Sequence, residues 1–265
     1  MAALGRAARQ EGPPRAGQSL QAAYTQRYGA FLAARRRAAG LSALWWGPTL
    51  GAVAILAGVS THFPVFGLVL FVLATAAVLD VLFRRPDSLV KVKARASAES
   101  ATGKELHAVE IRGRATVLHD RMFRATADPF EVEHLVLSPR GAFLIDTKQW
   151  GGIKMLGTSL YVGHADQESL FEAMAKRARA LAEALTEASA HDEEVGIVTI
   201  HPVIAVGAEQ LKGTPRTMRG VTIVTLPQLA PMMRSPDLRW SPSAVDTLSA
   251  AAELLLVSKQ STGAV

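Results

Sequence analysis

EHLVLSPRGAFLIDTKQW, residues 133–150, is the stretch that decides the fold. It reads as two apolar strands, HLVL and AFLI, around a turn at SPRG, where proline suits the second turn position and glycine the fourth. With Ser138 and Gly141 as the closing pair, Leu137 faces Ala142, Leu135 faces Leu144, Glu133 faces Asp146 and Glu131 faces Lys148. Side chains alternate along a strand, so Glu133, Asp146 and Lys148 share one face. Glu133 and Asp146 then become direct cross-strand partners, with Cβ atoms roughly 5 Å apart. Like charges in that arrangement repel, and one carboxylate is pushed towards protonation. A divalent cation between them reverses the sign of the interaction. Mg²⁺ suits the pair, since it takes one or two carboxylates and keeps waters that a phosphate can displace. A neighbouring lysine can orient an attacking water or stabilise charge on a scissile phosphate. The hairpin thus suggests an acid–acid–lysine site for phosphodiester hydrolysis. A rim salt bridge of Lys148 with Glu131 or Asp146 is the plainer alternative, and the hairpin alone leaves both open.

Around the hairpin the pattern is that of an α/β domain over residues 90–265. Residues 97–112 read as a helix, ATVLHD (115–120) as a short strand, and IKML and SLYVG as a further strand or hairpin. A long helix runs from Asp166, a plausible N-cap, to about Ala190, with Leu170, Phe171, Met174, Leu181 and Leu185 along one face. GIVTIHPVIAVG and VTIVTL have the near-continuous apolar character of buried strands, and Ser241–Pro242 opens a last helix to about Val257. Strands followed by alternating helix and strand predict a mixed sheet flanked by helices.

The run TVLHDR…VEHLVLSPRGAFLIDTKQWGG resembles the nuclease-related domain (NERD) family, a branch of the PD-(D/E)xK restriction-endonuclease-like superfamily. The likeness covers roughly residues 95–230 and is strongest over 115–152, where the turn, the strand lengths and the Asp-x-Lys before Trp150–Gly151 all agree. It implies a restriction-endonuclease-like fold, with Asp146 as a metal ligand and Lys148 as the catalytic lysine. Glu133 stands where the family usually carries aspartate, a departure that moves the carboxylate by about one methylene; catalytic geometry tolerates about half an ångström. Glu99, in ASAES, aligns best with the family's helix glutamate and would complete the metal set; Glu105 is the runner-up, and an exposed helix glutamate is the alternative for either. Gln149 is a candidate for substrate backbone or a surface amide. Mg²⁺, or Mn²⁺, is the implied cofactor, and nucleic acid, DNA ahead of RNA, the implied partner.

The N-terminal third differs in kind. Residues 41–59 and 65–79 carry no charge, and the second apolar run continues past Asp80 to Phe83. Each stretch, about 19 residues or roughly 28 Å as helix, approaches the thickness of a bilayer's hydrocarbon core. Residues 41–85 are therefore expected to form a two-helix transmembrane hairpin, with Trp45 and Trp46 in the interfacial belt. Arginines precede the first span and basic residues follow the second, which places both termini and the C-terminal domain in the cytoplasm at the cell membrane. A buried soluble helical hairpin is the alternative. Residues 1–40 form a basic tail: 1–18 read as disordered, and 19–38 as either an amphipathic helix on anionic lipid or a solvated segment. Through residue 85 there are nine Lys/Arg against two acids, and 20 against 21 in the remainder, so the net charge of +6 is no global positive field on the C-terminal domain.

No cysteine is present, which excludes disulfides and thiolate sites. No Walker loop, Gly-rich dinucleotide turn or metal-type His pairing appears. His119, His134 and His201 read as packed or rim residues, and Lys176, Arg177 and Arg179 as a solvated helix face with phosphate contact as the sharper option. A transporter is a poor reading, because the apolar runs offer only Asp80. The sequence thus supports a membrane-anchored, Mg²⁺-dependent nuclease-like protein. Its rival is a catalytically degenerate protein of the same fold that acts as an anchored nucleic-acid-binding or scaffold module.

Overall fold

In the computed structural model, which describes residues 15–60, 64–156, 159–207, 215–234 and 239–259, the hairpin pairs in the register its turn dictates. Strands β2 (Phe130–Ser138) and β3 (Gly141–Lys148) match Ser138 with Gly141, Leu137 with Ala142 and Leu135 with Leu144. Ser138 Oγ donates to the Gly141 carbonyl at 3.0 Å and accepts from Arg140 N at 3.3 Å, closing the turn. Gly141 has φ +145, a backbone conformation that a side chain would strain.

The remaining elements are α1 (Gln18–Ser60), α2 (Pro64–Phe83), α3 (Asp87–Gly113), β1 (Thr116–Phe123), β4 (Ile153–Leu156), β5 (Ser159–Val162) and β6 (Ala165–Asp166). Then come α4 (Glu168–Ala188), β7 (Ile200–Val206), β8 (Arg216–Met218), β9 (Val221–Thr225), α5 (Leu226–Met232), α6 (Pro242–Leu255) and β10 (Leu256–Ser258). A seven-stranded mixed sheet has the order β10-β1-β2-β3-β7-β9-β8, with β3, β7 and β9 parallel and the other neighbours antiparallel. Strands β4, β5 and β6 make a separate small sheet.

Alternation splits the core in two. Leu135, Leu137 and Leu144 pack with Phe171, Met174, Leu181 and Leu185 of α4 and Leu248 of α6. Val136, Phe143 and Ile145, one residue out of phase, pack with Leu106 and Val109 of α3 and Leu229 of α5. The expected mixed sheet flanked by helices is therefore present. Three boundaries differ from expectation. Helix α6 ends at Leu255, short of the expected Val257, because Leu256–Ser258 leave it as β10 to pair with β1. Helix α4 begins at Glu168 with Gln167 as N-cap, while Asp166 lies in β6 and accepts from Glu168 N at 3.0 Å. Helix α3 starts ten residues before the expected position, because Asp87 can open it and Leu89 and Ala96 are buried along it.

The chain divides into two compact units: the residues up to Gln21 with those from Ala94 onward, and Ala22–Lys93. Described residues 15–21 pack with the C-terminal unit, and 22–40 continue into 41–60 as the single helix α1. Residues 1–14, read as disordered, lie outside the described residues, as do the Trp45 and Trp46 side chains. Among the described residues, no helix is long and apolar enough to cross a membrane. The transmembrane hairpin read from sequence is accordingly not borne out in the fold.

Candidate functional site

Four carboxylates are buried at one end of the sheet: Glu99 on α3, Asp120 on β1, Glu133 on β2 and Asp146 on β3, exposed by only 3, 4, 7 and 7%. Buried charges at that level need partners. Arg95, one turn before Glu99, partners two of the four. Its Nη2 donates to Glu133 Oε1 at 2.7 Å and its Nε to Glu99 Oε1 at 3.2 Å. Glu133 Oε2 accepts from Thr147 N at 2.7 Å, which holds the glutamate against the far strand. Lys148 Nζ donates to Asp146 Oδ1 at 2.6 Å. Thr147 Oγ1 donates to Thr102 Oγ1 at 2.9 Å, fixing β3 to α3 behind the site.

Asp120 is held by other groups. It has φ +56 between the paired residues His119–His134 and Arg121–Val132, a conformation uncommon outside glycine but tolerated by aspartate. Its carboxylate accepts from Ser19 N and Ser19 Oγ, both at 2.9 Å, with Lys259 Nζ 3.9 Å away. Lys259 also donates to Glu131 at 2.6 Å. Glu131, which the sequence register set opposite Lys148, therefore turns towards β10, and Lys148 keeps Asp146 instead.

The open side is a cleft of about 180 Å³ lined by Arg95, Glu131, Glu133, Asp146, Lys148 and Arg177. Burial raises the Glu133 carboxyl well above its ordinary range, and the charge of Asp146, with which it shares a hydrogen bond, raises it further. The expected repulsion between the two hairpin acids is thus present, and its effect falls on Glu133. Burial also pushes Glu99 up to about 7, against the pull of Arg95.

A carboxyl raised in the fold contributes most to stability below its unfolded value, and that contribution is lost as pH rises through the folded value. Between about 4.5 and about 7, Glu99 should therefore cost the folded chain on the order of 2 kcal/mol. Melting temperatures of the chain, free of divalent ions, should fall across that window. Glu99→Gln should flatten the fall, and an unchanged slope in that variant would remove Glu99 as its source.

The sequence-predicted residues are distributed as follows. Glu133, Asp146 and Lys148 come together directly. Glu99 joins them through Arg95. Glu105 is half-buried, and among the described residues no hydrogen bond or ion pair links it to the cluster, so of the two helix glutamates Glu99 is the one placed there. Gln149 is exposed, while Trp150 is buried in the α4-side core. His119 and His134 meet Nδ1 to Nδ1 at 2.8 Å, and burial lowers both, His134 to about 3, so the pair is neutral and packed. His201 stands beside the Phe143 ring at 5.6 Å.

Two contributors escaped the sequence reading. Arg95 counted there only as a charge flanking an apolar run, although its i,i+4 spacing to Glu99 was a usable signal. Asp120 was visible only as a letter in VLHD. Arg177, read from sequence as part of a solvated helix face with phosphate contact as the sharper option, lines the cleft.

Among the described residues, no group of three or more His, Asp or Glu side chains is set to hold a metal ion. The expected triad of Glu99, Glu133 and Asp146 is not assembled as one ligand set, because the Arg95 guanidinium bridges Glu99 and Glu133. The donor chemistry of the remaining pair still suits a hard cation: two carboxylates on adjoining strands offer oxygens to an ion that needs one or two of them.

Residues 94–207 match the model of the nuclease-related domain, NERD. That match supports the resemblance carried by the hairpin and points to a nuclease-like function and to nucleic-acid binding. Comparison with curated proteins and with solved structures returns no match.

Proposed function

We propose that the chain is a membrane-anchored, Mg²⁺-dependent nuclease-like protein that hydrolyses nucleic-acid phosphodiesters. The observation that carries this reading is the meeting of Glu133 with Asp146 while Lys148 Nζ lies 2.6 Å from Asp146. Glu133 and Asp146 would hold Mg²⁺ or Mn²⁺, and Glu99, tied to Glu133 through Arg95, is the further candidate ligand. A bound divalent ion would supply Lewis-acid polarisation of the phosphoryl oxygen and a lower pKa for an attacking water. The chain's own groups do the rest. Asp146 orients the Lys148 ammonium, Lys148 donates to a non-bridging phosphate oxygen or positions the water, and Arg95 and Arg177 set positive charge on the cleft walls.

Membrane attachment rests on the uncharged runs 41–59 and 65–79, part of whose side chains lie outside the described residues. It is supported by Val53, Ile55, Leu56, Val59, Val65 and Leu68, each 62–70% exposed, since a continuous apolar surface of that kind requires cover. The basic flanks favour both termini and the catalytic unit in the cytoplasm.

The direct test is incubation of the full chain in detergent with labelled DNA and RNA, with and without Mg²⁺. Cleavage should require the ion and should disappear in Asp146→Asn. Cleavage that survives chelation, or that Asp146→Asn retains, refutes the site. A second reading has one observation in its favour. Arg95 already neutralises Glu133, as a site that has lost its metal would require, so an anchored nucleic-acid-binding module of the same fold is the rival. It predicts binding without cleavage at any Mg²⁺ concentration.

A further inference from the structure

Beside the carboxylate cleft lies a second depression of about 370 Å³, lined by residues 126–130 and by Ala173, Lys176, Arg177 and Ala180 of α4. Arg177 borders both hollows, so the two are adjacent and share one wall. The guanidinium lies 5.8 Å from the Phe130 ring centre, a cation–π contact that sets its direction while leaving donors for a ligand. Lys176 is exposed and only 3.9 Å from the equally exposed Asp128, an ion pair too open to hold it. Phe130 itself is buried, so the floor offers no face for a base to stack on. The hollow is therefore suited to a sugar–phosphate backbone rather than to a nucleobase. Glu131 and Asp128 are its acidic neighbours; Glu131 is already engaged by Lys259.

We infer that Arg177 and Lys176 form a backbone-phosphate subsite for a nucleic-acid strand, next to the scissile phosphate on the α4 side of the cleft. The inference deepens the proposed nuclease reading and rests on it. A strand whose reacting phosphate lies over Glu133, Asp146 and Lys148 would carry its neighbouring phosphate across the shared wall to Arg177 and Lys176. Recognition there is of charge and backbone, without sequence preference. The same helix supplies an internal control. Arg179, two residues on, lines a different groove against β7 and does not reach either hollow.

The test measures binding of a labelled single-stranded oligonucleotide to the full chain in detergent, with Ca²⁺ replacing Mg²⁺, over a range of salt concentrations. Neutralising two phosphate contacts to a single strand should reduce the slope of log affinity against log salt by about 1.4. Lys176→Gln with Arg177→Gln should show that change and lose on the order of tenfold in affinity at moderate salt. Arg179→Gln should match the unmodified chain, and Arg177→Lys alone should keep the slope, which separates charge from packing. If the double variant and Arg179→Gln behave alike while the chain still binds and cleaves, the subsite is wrong and the nuclease reading stands. A chain that neither binds nor cleaves overturns both.

Discussion

Replacing Lys148 by alanine is expected to lower Mg²⁺-dependent cleavage by about 10²–10⁴-fold while leaving the fold intact. The side chain is a quarter exposed and makes its contact with Asp146 at the cleft, not in the core, so its loss removes chemistry rather than packing. Its removal has two consequences. The developing charge on a phosphate oxygen loses its nearest mobile donor, and Asp146 loses a cation that offsets its repulsion with Glu133. The second effect should make the carboxylate pair more receptive to Mg²⁺. The variant should therefore bind the ion at least as well as the unmodified chain while turning over far more slowly. A drop in kcat with unchanged or tighter Mg²⁺ binding is the expected signature. Loss of Mg²⁺ binding along with activity would show Lys148 to be structural, and unaltered cleavage would refute its assignment. Lys148→Arg should not restore full activity, since a planar guanidinium cannot occupy the same point beside Asp146.

How far the sequence could be read is clearest at the hairpin. A two-residue turn with a proline and a glycine in set positions admits one register, and that register alone places Glu133, Asp146 and Lys148 together. Strand identity followed from local patterning as well. What could not be read was anything set by a distant partner. Glu131 left Lys148 for Lys259, 128 positions along the chain, because β10 returns to pair with β1. Asp120 found Ser19 across 101 positions, a contact that no periodicity announces. Arg177 reads as solvated from the helix pattern, since one helix shows which side is apolar and not what stands opposite its flank. Helix α3 was under-read because its first turns interleave apolar and basic residues without a clean helical stripe, with Leu89 and Ala96 buried while Val90 is exposed. The N-terminal third shows the converse limit. Two uncharged runs are a statement about composition, while membrane crossing is a statement about surroundings that the chain's own contacts do not contain.

Arg95→Ala should separate an active metal site from a spent one. In the fold as it stands, the guanidinium is the cation that lets Glu99 and Glu133 lie buried together. Removing it leaves two desolvated carboxyls without their counter-charge, a change that costs several kcal/mol for a fully buried pair and less here, because Arg95 is 47% exposed. Without divalent ions the variant should therefore melt at a lower temperature, and the loss should be smaller at pH 5 than at pH 8, since protonation relieves the same repulsion. Mg²⁺ should restore stability, because it replaces one cation with another. Its binding should tighten roughly tenfold, equivalent to about 1.4 kcal/mol of competition removed. Calorimetric titration of the full chain with Mg²⁺ reads this directly. Tighter binding with retained cleavage would identify Arg95 as a competitor for the site. Weaker binding would instead make it part of the framework that positions Glu133. No Mg²⁺ binding in either form would favour the degenerate module, in which Arg95 has taken the cation's place permanently.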